Sequence, residues 1–172
     1  MANKTLDIIK NRVSCRSYSE KKVPLKKVLE IAEAGKFAPS GKNRQIANIY
    51  VVNSKRNVEK LRKLSLEYMK RDCMYGAKTI ILVAGPRDDQ FTFQDCSCVL
   101  ENMFIAAKAL NIASCWINQF EELFANKEGK KVKNKLGIPD DYRIVGSCAL
   151  GYPNDPSTLV VKNRKEDFIK VL

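Results

Sequence analysis

The 172-residue chain has no histidine. That absence excludes Ser-His-Asp and Cys-His nucleophilic chemistry, and with it any His-ligated metal centre. Its six cysteines form no Cys-x-x-Cys pair: Cys96 and Cys98 are separated by one residue, while Cys15, Cys73, Cys115 and Cys148 stand alone. These spacings do not fit a metal site, and without an export signal they read as reduced thiols. Long apolar runs are missing as well. The run at 80–84 is strand-sized, far short of the roughly 20 residues a bilayer span needs. Lys4 and Asp7 interrupt the N-terminal apolar stretch, so no signal peptide is read there and cytoplasmic residence is the expectation. With 45% hydrophobic residues, disorder is also set aside.

Acidic residues are in deficit. Lysine and arginine number 31 against 19 aspartates and glutamates, a net charge of +12. Such a balance favours anionic partners, whether nucleic acid, a membrane surface or a phosphorylated small molecule. A solvated basic surface accounts for the composition equally well. The clusters Lys21-Lys22, Lys26-Lys27 and Lys130-Lys131 raise a nucleic-acid-binding module as an alternative. They are scattered, however, and none belongs to a groove-reading motif. An enzyme built on a chain without histidine would draw its reactive group from a cofactor.

The pattern along the chain alternates helices and strands. Leu6, Ile9 and Val13 predict a short helix over 4–13. Pro24 suits the first helical position of a second, with Leu25, Val28, Leu29 and Ala32 on its apolar face and Gly35 near its end. A loop rich in Pro, Gly and Asn spans 37–45, and β-branched residues predict a strand over 47–53. Ser54 can cap a third helix carrying Val58, Leu61, Leu64 and Tyr68. The apolar run at 79–84 predicts a strand covered on both faces. A long, largely buried helix follows over 93–110, then a short strand or turn at 112–118, a charged helix over 121–136 and a strand over 142–151. The sum is an α+β fold with one sheet flanked by helices, in a single domain over 1–172. Residues from about 152 onward contain Leu159-Val-Val161 and Phe168-Ile169 but no core pattern of their own. A tail of that kind often packs on a second subunit.

Three segments carry chemistry. In Arg12-Val-Ser-Cys-Arg16 an extended backbone would point residues 12, 14 and 16 the same way. Two guanidiniums and a hydroxyl would then converge, an arrangement suited to a phosphate; two solvent-exposed arginines at a helix end explain the segment too. In Ala38-Pro-Ser-Gly-Lys-Asn-Arg-Gln45, Pro39 and Gly41 shape a loop on which Ser40, Asn43 and Gln45 offer neutral hydrogen-bonding groups. An ordinary helix-to-strand connection is the plainer account. In Asn111-Ile-Ala-Ser-Cys-Trp116, the small Ala113, Ser114 and Cys115 let a flat ring approach the backbone, with Trp116 otherwise serving as core filler.

Together and in this order, these segments resemble the FMN-binding nitroreductase family. Arg12-x-Ser-x-Arg16 is similar to its N-terminal basic motif, and Ala38-Pro-Ser-Gly-x-Asn43-x-Gln45 to the loop before its first strand. Residues 95–116 resemble its central helix and the turn that follows. Leu136-Gly-Ile-Pro139 and Leu150-Gly-Tyr-Pro153 resemble its C-terminal strand region, and Lys162-Asn-Arg164 stands where a basic phosphate-binding pair is expected. Two departures concern the pocket: Gln45 is followed by Ile46-Ala47 where relatives often carry Pro-Trp, and 111–115 lacks their Gly-Leu-Gly run.

The resemblance implies a mostly antiparallel central sheet, a C-terminal tail exchanged between subunits, and a homodimer holding FMN at its interface. It implies that Arg12, Lys162 and Arg164 contact the phosphate with help from Ser14, and that Arg16 lies near the pyrimidine edge of the flavin. There a cation would stabilise the charge of the reduced ring. Pro39, Ser40 and Asn43 would reach the partner's flavin, Gln45 would belong to the cofactor-binding set, and the backbone of Ala113, Ser114 and Cys115 would lie against the ring system. The implied reaction is ping-pong electron transfer from NADH or NADPH to a nitroaromatic, a quinone or another flavin. An acidic ferredoxin-like protein is a variant donor, and an FMN carrier or sensor without turnover is the alternative outside catalysis. Neither a metal nor a membrane enters this scheme.

Overall fold

A computed structural model describes residues 3–171 of the chain; residues 1, 2 and 172 of the expected domain span lie outside it. Among the described residues, six α-helices and four strands follow in the order α1 Lys4–Lys10, α2 Leu25–Gly35, β1 Asn48–Val52, α3 Lys55–Met69, β2 Thr79–Pro86, α4 Thr92–Ala109, β3 Ala113–Ile117, α5 Phe120–Ala125, α6 Lys127–Lys135 and β4 Tyr142–Gly151. The strands form one antiparallel sheet in the order β1-β2-β4-β3, which bears out the α+β expectation.

Sequence alternation explains how the sheet is covered. In β2, Ile80, Leu82 and Ala84 enter a core with α3 and α5, whereas Ile81 and Val83 enter a second core with α2 and α4. Neighbouring side chains on a strand point to opposite faces, so a continuous apolar run is what a doubly covered strand requires. β4 keeps the same division, with Ala149 on one side and Cys148 and Leu150 on the other. A bulge lets it turn: Val83 pairs with Gly146 and Ala84 with Ile144, leaving Val145 as the extra residue.

Local chemistry sets most boundaries. Asn3 caps α1 by accepting from the N–H groups of Thr5 and Leu6 at 3.0 and 3.3 Å. Ser54 caps α3, its hydroxyl oxygen 3.3 Å from the Asn57 nitrogen. The apolar stripe of α4 runs through Cys96, Val99, Leu100, Met103, Phe104 and Ala107, all buried, while Phe93 and Glu101 on the other side are exposed. That helix is buried along one face rather than all round. It ends with Asn111 in the left-handed region (φ 56), where the Ile112 N–H reaches the Ala107 carbonyl at 2.8 Å and the Asn111 N–H reaches Lys108 at 3.1 Å. This pairing is a Schellman closure, with asparagine in the role glycine usually takes.

Three sequence expectations need correction. The first helix stops at Lys10, because the chain then straightens to lie beside β3. Pro24 is the cap preceding α2, with an extended ψ of 136, and not its first helical residue. The charged helix expected over 121–136 is two helices. At Asn126 the backbone is extended, and the side chain accepts from the Gly129 N–H while donating to the Leu123 carbonyl, both at 2.8 Å. One asparagine thereby closes α5 and opens α6. Gly129 makes the fold-back feasible, since a Cβ there would lie 1.8 Å from the Leu123 oxygen.

Candidate functional site

The segment after α1 lies against β3 through an isolated bridge. Ser14 bridges Ser114 in parallel, and the Cys15 N–H donates to the Ser114 carbonyl at 2.9 Å. With Cys15 turned into the core, Arg12, Ser14 and Arg16 line a common cavity of about 530 Å³. The chain stays attached further along. Tyr18 bridges Pro153, the Asn154 N–H reaches the Ser17 carbonyl at 3.1 Å, and the Asn154 amide reaches the Ser17 hydroxyl at 2.9 Å.

These ties place the start of the tail beside the N-terminal segment. Beyond them, Thr158 to Arg164 passes over Arg12 and Ser17, with Leu159 packed on the core. Arg12, Arg16, Lys162 and Arg164 thus share a cavity, although the first and last are far apart in sequence. Glu101 of α4 is the acidic neighbour, 3.8 Å from the Arg12 Nε. Four cations against one carboxylate leave a strongly positive site, and with the Ser14 hydroxyl this donor set fits a phosphate.

A second cavity of about 190 Å³ adjoins the first, sharing Arg12, Val13 and Leu159, and is lined on its other side by Ala113 and Ser114 of β3. Ala113 is half-buried, whereas Ser114 and Cys115 are buried. The Cys115 side chain belongs to the core on the α3 side, so that residue can offer a ligand only its backbone. Burial pushes its thiol pKa up, against the opposing pull of Arg16 and Arg12. The donor set and the adjoining small-residue strand fit a molecule with a phosphate at one end and a flat ring at the other.

The loop expected to complete the site lies elsewhere in the chain. Pro39, Ser40 and Gln45 line a cavity of about 150 Å³ beside Asp95 and Val99 of α4, and it shares no residue with the cationic one. Asn43 is exposed and accepts from the Gln45 side chain at 3.1 Å. Lys42, Asn43 and Gln45 all sit in the left-handed region, with φ of 55, 55 and 51. Side chains tolerate that conformation poorly, and clustered outliers of this kind occur at functional sites. Neighbours hold the loop: the Gly41 N–H donates to Asp95 at 2.9 Å, the Gln45 N–H to the Ser40 hydroxyl at 3.0 Å, and Arg44 pairs with Asp89.

Several contributors escaped the sequence reading. Asp95 carries no role in the sequence pattern beyond lying in the helix expected over 93–110, although a carboxylate on the apolar stripe of Cys96 and Val99 is a usable signal. Glu101, the counter-ion of Arg12, had no local signature. Trp116 is not core filler. It is 36% exposed on the edge strand, tilted against Phe104 with ring centres 6.0 Å apart and lying over Gly146. Among the described residues no cluster of three metal-ligating side chains occurs, and no helix is long and apolar enough to cross a membrane.

The family model described as the nitroreductase family matches residues 9–152. A protein from Archaeoglobus fulgidus, provisionally named an NADH dehydrogenase/NAD(P)H nitroreductase, is 31% identical over 155 residues, covering 87% of this chain and 86% of the relative. Among solved structures, a nitroreductase with bound FMN from Bacteroides fragilis superposes with a TM-score of 0.91 at 31% identity, over 99% of this chain and 100% of its own. Another with bound FMN, from Desulfitobacterium hafniense, gives 0.90 at 27% identity with both chains fully covered.

Proposed function

The chain belongs to the nitroreductase family, and from that premise we propose that it is an FMN-dependent oxidoreductase carrying electrons from NADH or NADPH to a small acceptor such as a nitroaromatic, a quinone or another flavin. The observation that carries this reading is the cavity in which Arg12, Arg16, Lys162 and Arg164 converge with Ser14. FMN held by these residues would supply the redox chemistry of a ping-pong cycle, two electrons entering from one substrate and leaving to the next.

The chain itself contributes binding, orientation and electrostatics. Arg12, Lys162 and Arg164 neutralise the phosphate, and Ser14 donates its hydroxyl to it. Arg16, on the same cavity, would stand at the pyrimidine edge of the ring, where a fixed cation would favour the reduced, negatively charged form. The backbone of Ala113, Ser114 and Cys115 would lie along the ring, an approach that their small side chains permit.

Pro39, Ser40, Asn43 and Gln45 serve the flavin of a second protomer, which accounts for their separation from the cationic cavity of their own chain. The functional unit is then a homodimer of 1–172 domains. The tail packs its end on the partner, covering Phe168 and Ile169, each 83% exposed in the single chain. A net charge of +12 also suits an acidic ferredoxin-like protein as a variant donor.

The test is an absorption spectrum of the protein after incubation with FMN and desalting. Bands near about 370 and 450 nm, as for an oxidised flavin cofactor, should appear, bleach with NADH or NADPH, and return on adding an acceptor. Retained bands that neither nicotinamide bleaches would make the protein a carrier or sensor. A colourless protein would overturn the cofactor reading.

A further inference from the structure

We propose that Asp95 is a positioning residue of the cofactor site, a buried clamp holding the 39–45 loop in the shape it presents to the flavin. The inference rests on the assignment of Pro39, Ser40 and Asn43 to a partner protomer's FMN.

Asp95 is 4% exposed in the first turn of α4, on the stripe otherwise occupied by Cys96, Val99 and Met103. One carboxylate oxygen accepts from the Gly41 N–H at 2.9 Å, while the other, Oδ2, is buried without a hydrogen-bond partner among the described residues. A half-satisfied buried carboxylate opposes folding, and an apolar residue would suit the stripe better. Departures from local packing rules of this kind are expected where function demands them.

What the clamp holds is a strained loop. Three residues without glycine's freedom, Lys42, Asn43 and Gln45, have positive φ. Such a conformation lasts only where the surroundings over-determine it. Gly41 is pressed against the Phe91 ring so closely that a Cβ would lie 2.6 Å from it. The bond from Asp95 fixes that same glycine from a buried helix, directly after Ser40. Asp95 also lines the loop cavity together with Pro39, Ser40 and Gln45. It therefore acts through the loop and needs no contact with the flavin of its own.

Two measurements on wild type, Asp95→Ala and Asp95→Asn test the role: the FMN Kd by fluorescence quenching, and amide hydrogen exchange at 41–45 without FMN. Losing the acceptor should raise the Kd of Asp95→Ala, and its exchange at Gly41, roughly tenfold or more. Asp95→Asn keeps an acceptor and should bring both within about threefold of wild type. Should the alanine variant not fold, Asp95→Leu fills the stripe without an acceptor and carries the same expectation. A lower thermal midpoint with unchanged Kd and loop exchange would mean a merely structural role and overturn the clamp. Failure of asparagine to rescue would overturn it too. A wild-type protein that retains no FMN overturns the cofactor reading and this role with it, whereas wild-type binding with an unchanged Asp95→Ala Kd overturns the clamp alone.

Discussion

Replacing Arg12 by alanine removes one of the four cations that converge on the phosphate cavity. The Arg12 side chain is 24% exposed, so its field is only partly screened. A charge-assisted hydrogen bond in such a position contributes about 1.5–3 kcal/mol, or roughly 10- to 150-fold in Kd. The substitution has a second effect, because it leaves the Glu101 carboxylate, 3.8 Å from the Arg12 Nε, without its counter-ion. Repulsion between that carboxylate and a phosphate, through an effective dielectric of about 20–80, adds about 1 kcal/mol more. Combining Arg12→Ala with Glu101→Gln should recover this second part and leave the first. The assay is a fluorescence titration with FMN and with riboflavin, which has the same ring and no phosphate. Arg12→Ala should weaken FMN by about two to three orders of magnitude and riboflavin by less than about threefold. Wild-type affinity for FMN should also fall with salt more steeply than affinity for riboflavin. An equal loss for both ligands would place Arg12 at the ring, and no loss for either would move the phosphate out of this cavity.

Four further outcomes follow from the packing, the thiols and the tail. Gly146→Ala would set a Cβ 2.6 Å from the Trp116 ring and 2.9 Å from Leu100, so the half-exposed ring must swing outward. The expected cost is about 1–3 kcal/mol by urea unfolding, with a red shift in the emission of the chain's single tryptophan; unchanged emission would contradict the geometry. Cys98 is the one thiol of the six that is not buried, so a disulfide reagent at pH 8 should modify one thiol quickly and five only on unfolding. Burial also raises the thiol pKa values of Cys15, Cys73, Cys115 and Cys148, and pushes that of Cys96 from 9.0 up to about 12. A folded-state pKa above the unfolded value stabilises fully below the unfolded value and is lost as pH rises through the folded one. Stability should therefore decline between pH 9.0 and about 12, by up to about 4 kcal/mol for Cys96 alone. A urea midpoint that rises over this range would refute the assignment. Removing residues 165–172, which include the exposed Phe168, Ile169 and Val171, should shift a sedimentation profile from dimer toward monomer. An unaltered dimer would show that the tail does not clasp the partner.

Much of the architecture was open to reading residue by residue. Ser54 at the head of α3, the doubly apolar run of β2 and the stripe of α4 are signals confined to a few neighbours. The extended form of 12–16 was legible only as a condition, because Leu6, Ile9 and Val13 carry a helical spacing that runs into it. Elsewhere local signals were ambiguous. The charges over 121–136 suit one helix, and only the simultaneous bonding of Asn126 to Leu123 and Gly129 divides it. Trp116 looked like filler because its position on an edge strand depends on which strands pair. That outcome is a competition over the whole chain.

The candidate site divides along the same line. By itself the sequence determined which residues can bear the chemistry: it holds no histidine, it spaces Arg12, Ser14 and Arg16 two apart, and it repeats the order of motifs found in the nitroreductase family. Hydrogen-bonding capacity, charge and period belong to residue types and short segments, so they survive without coordinates. Only the tertiary structure decided that Lys162 and Arg164 meet Arg12 and Arg16 in one cavity, because that encounter depends on β3 pairing with β4 and on Asn154 tying the tail to Ser17. It also decided that the 39–45 loop stands apart from that cavity, held to α4 by Asp95. Neither placement has a local cause; each follows from how two apolar cores close on the two faces of one sheet.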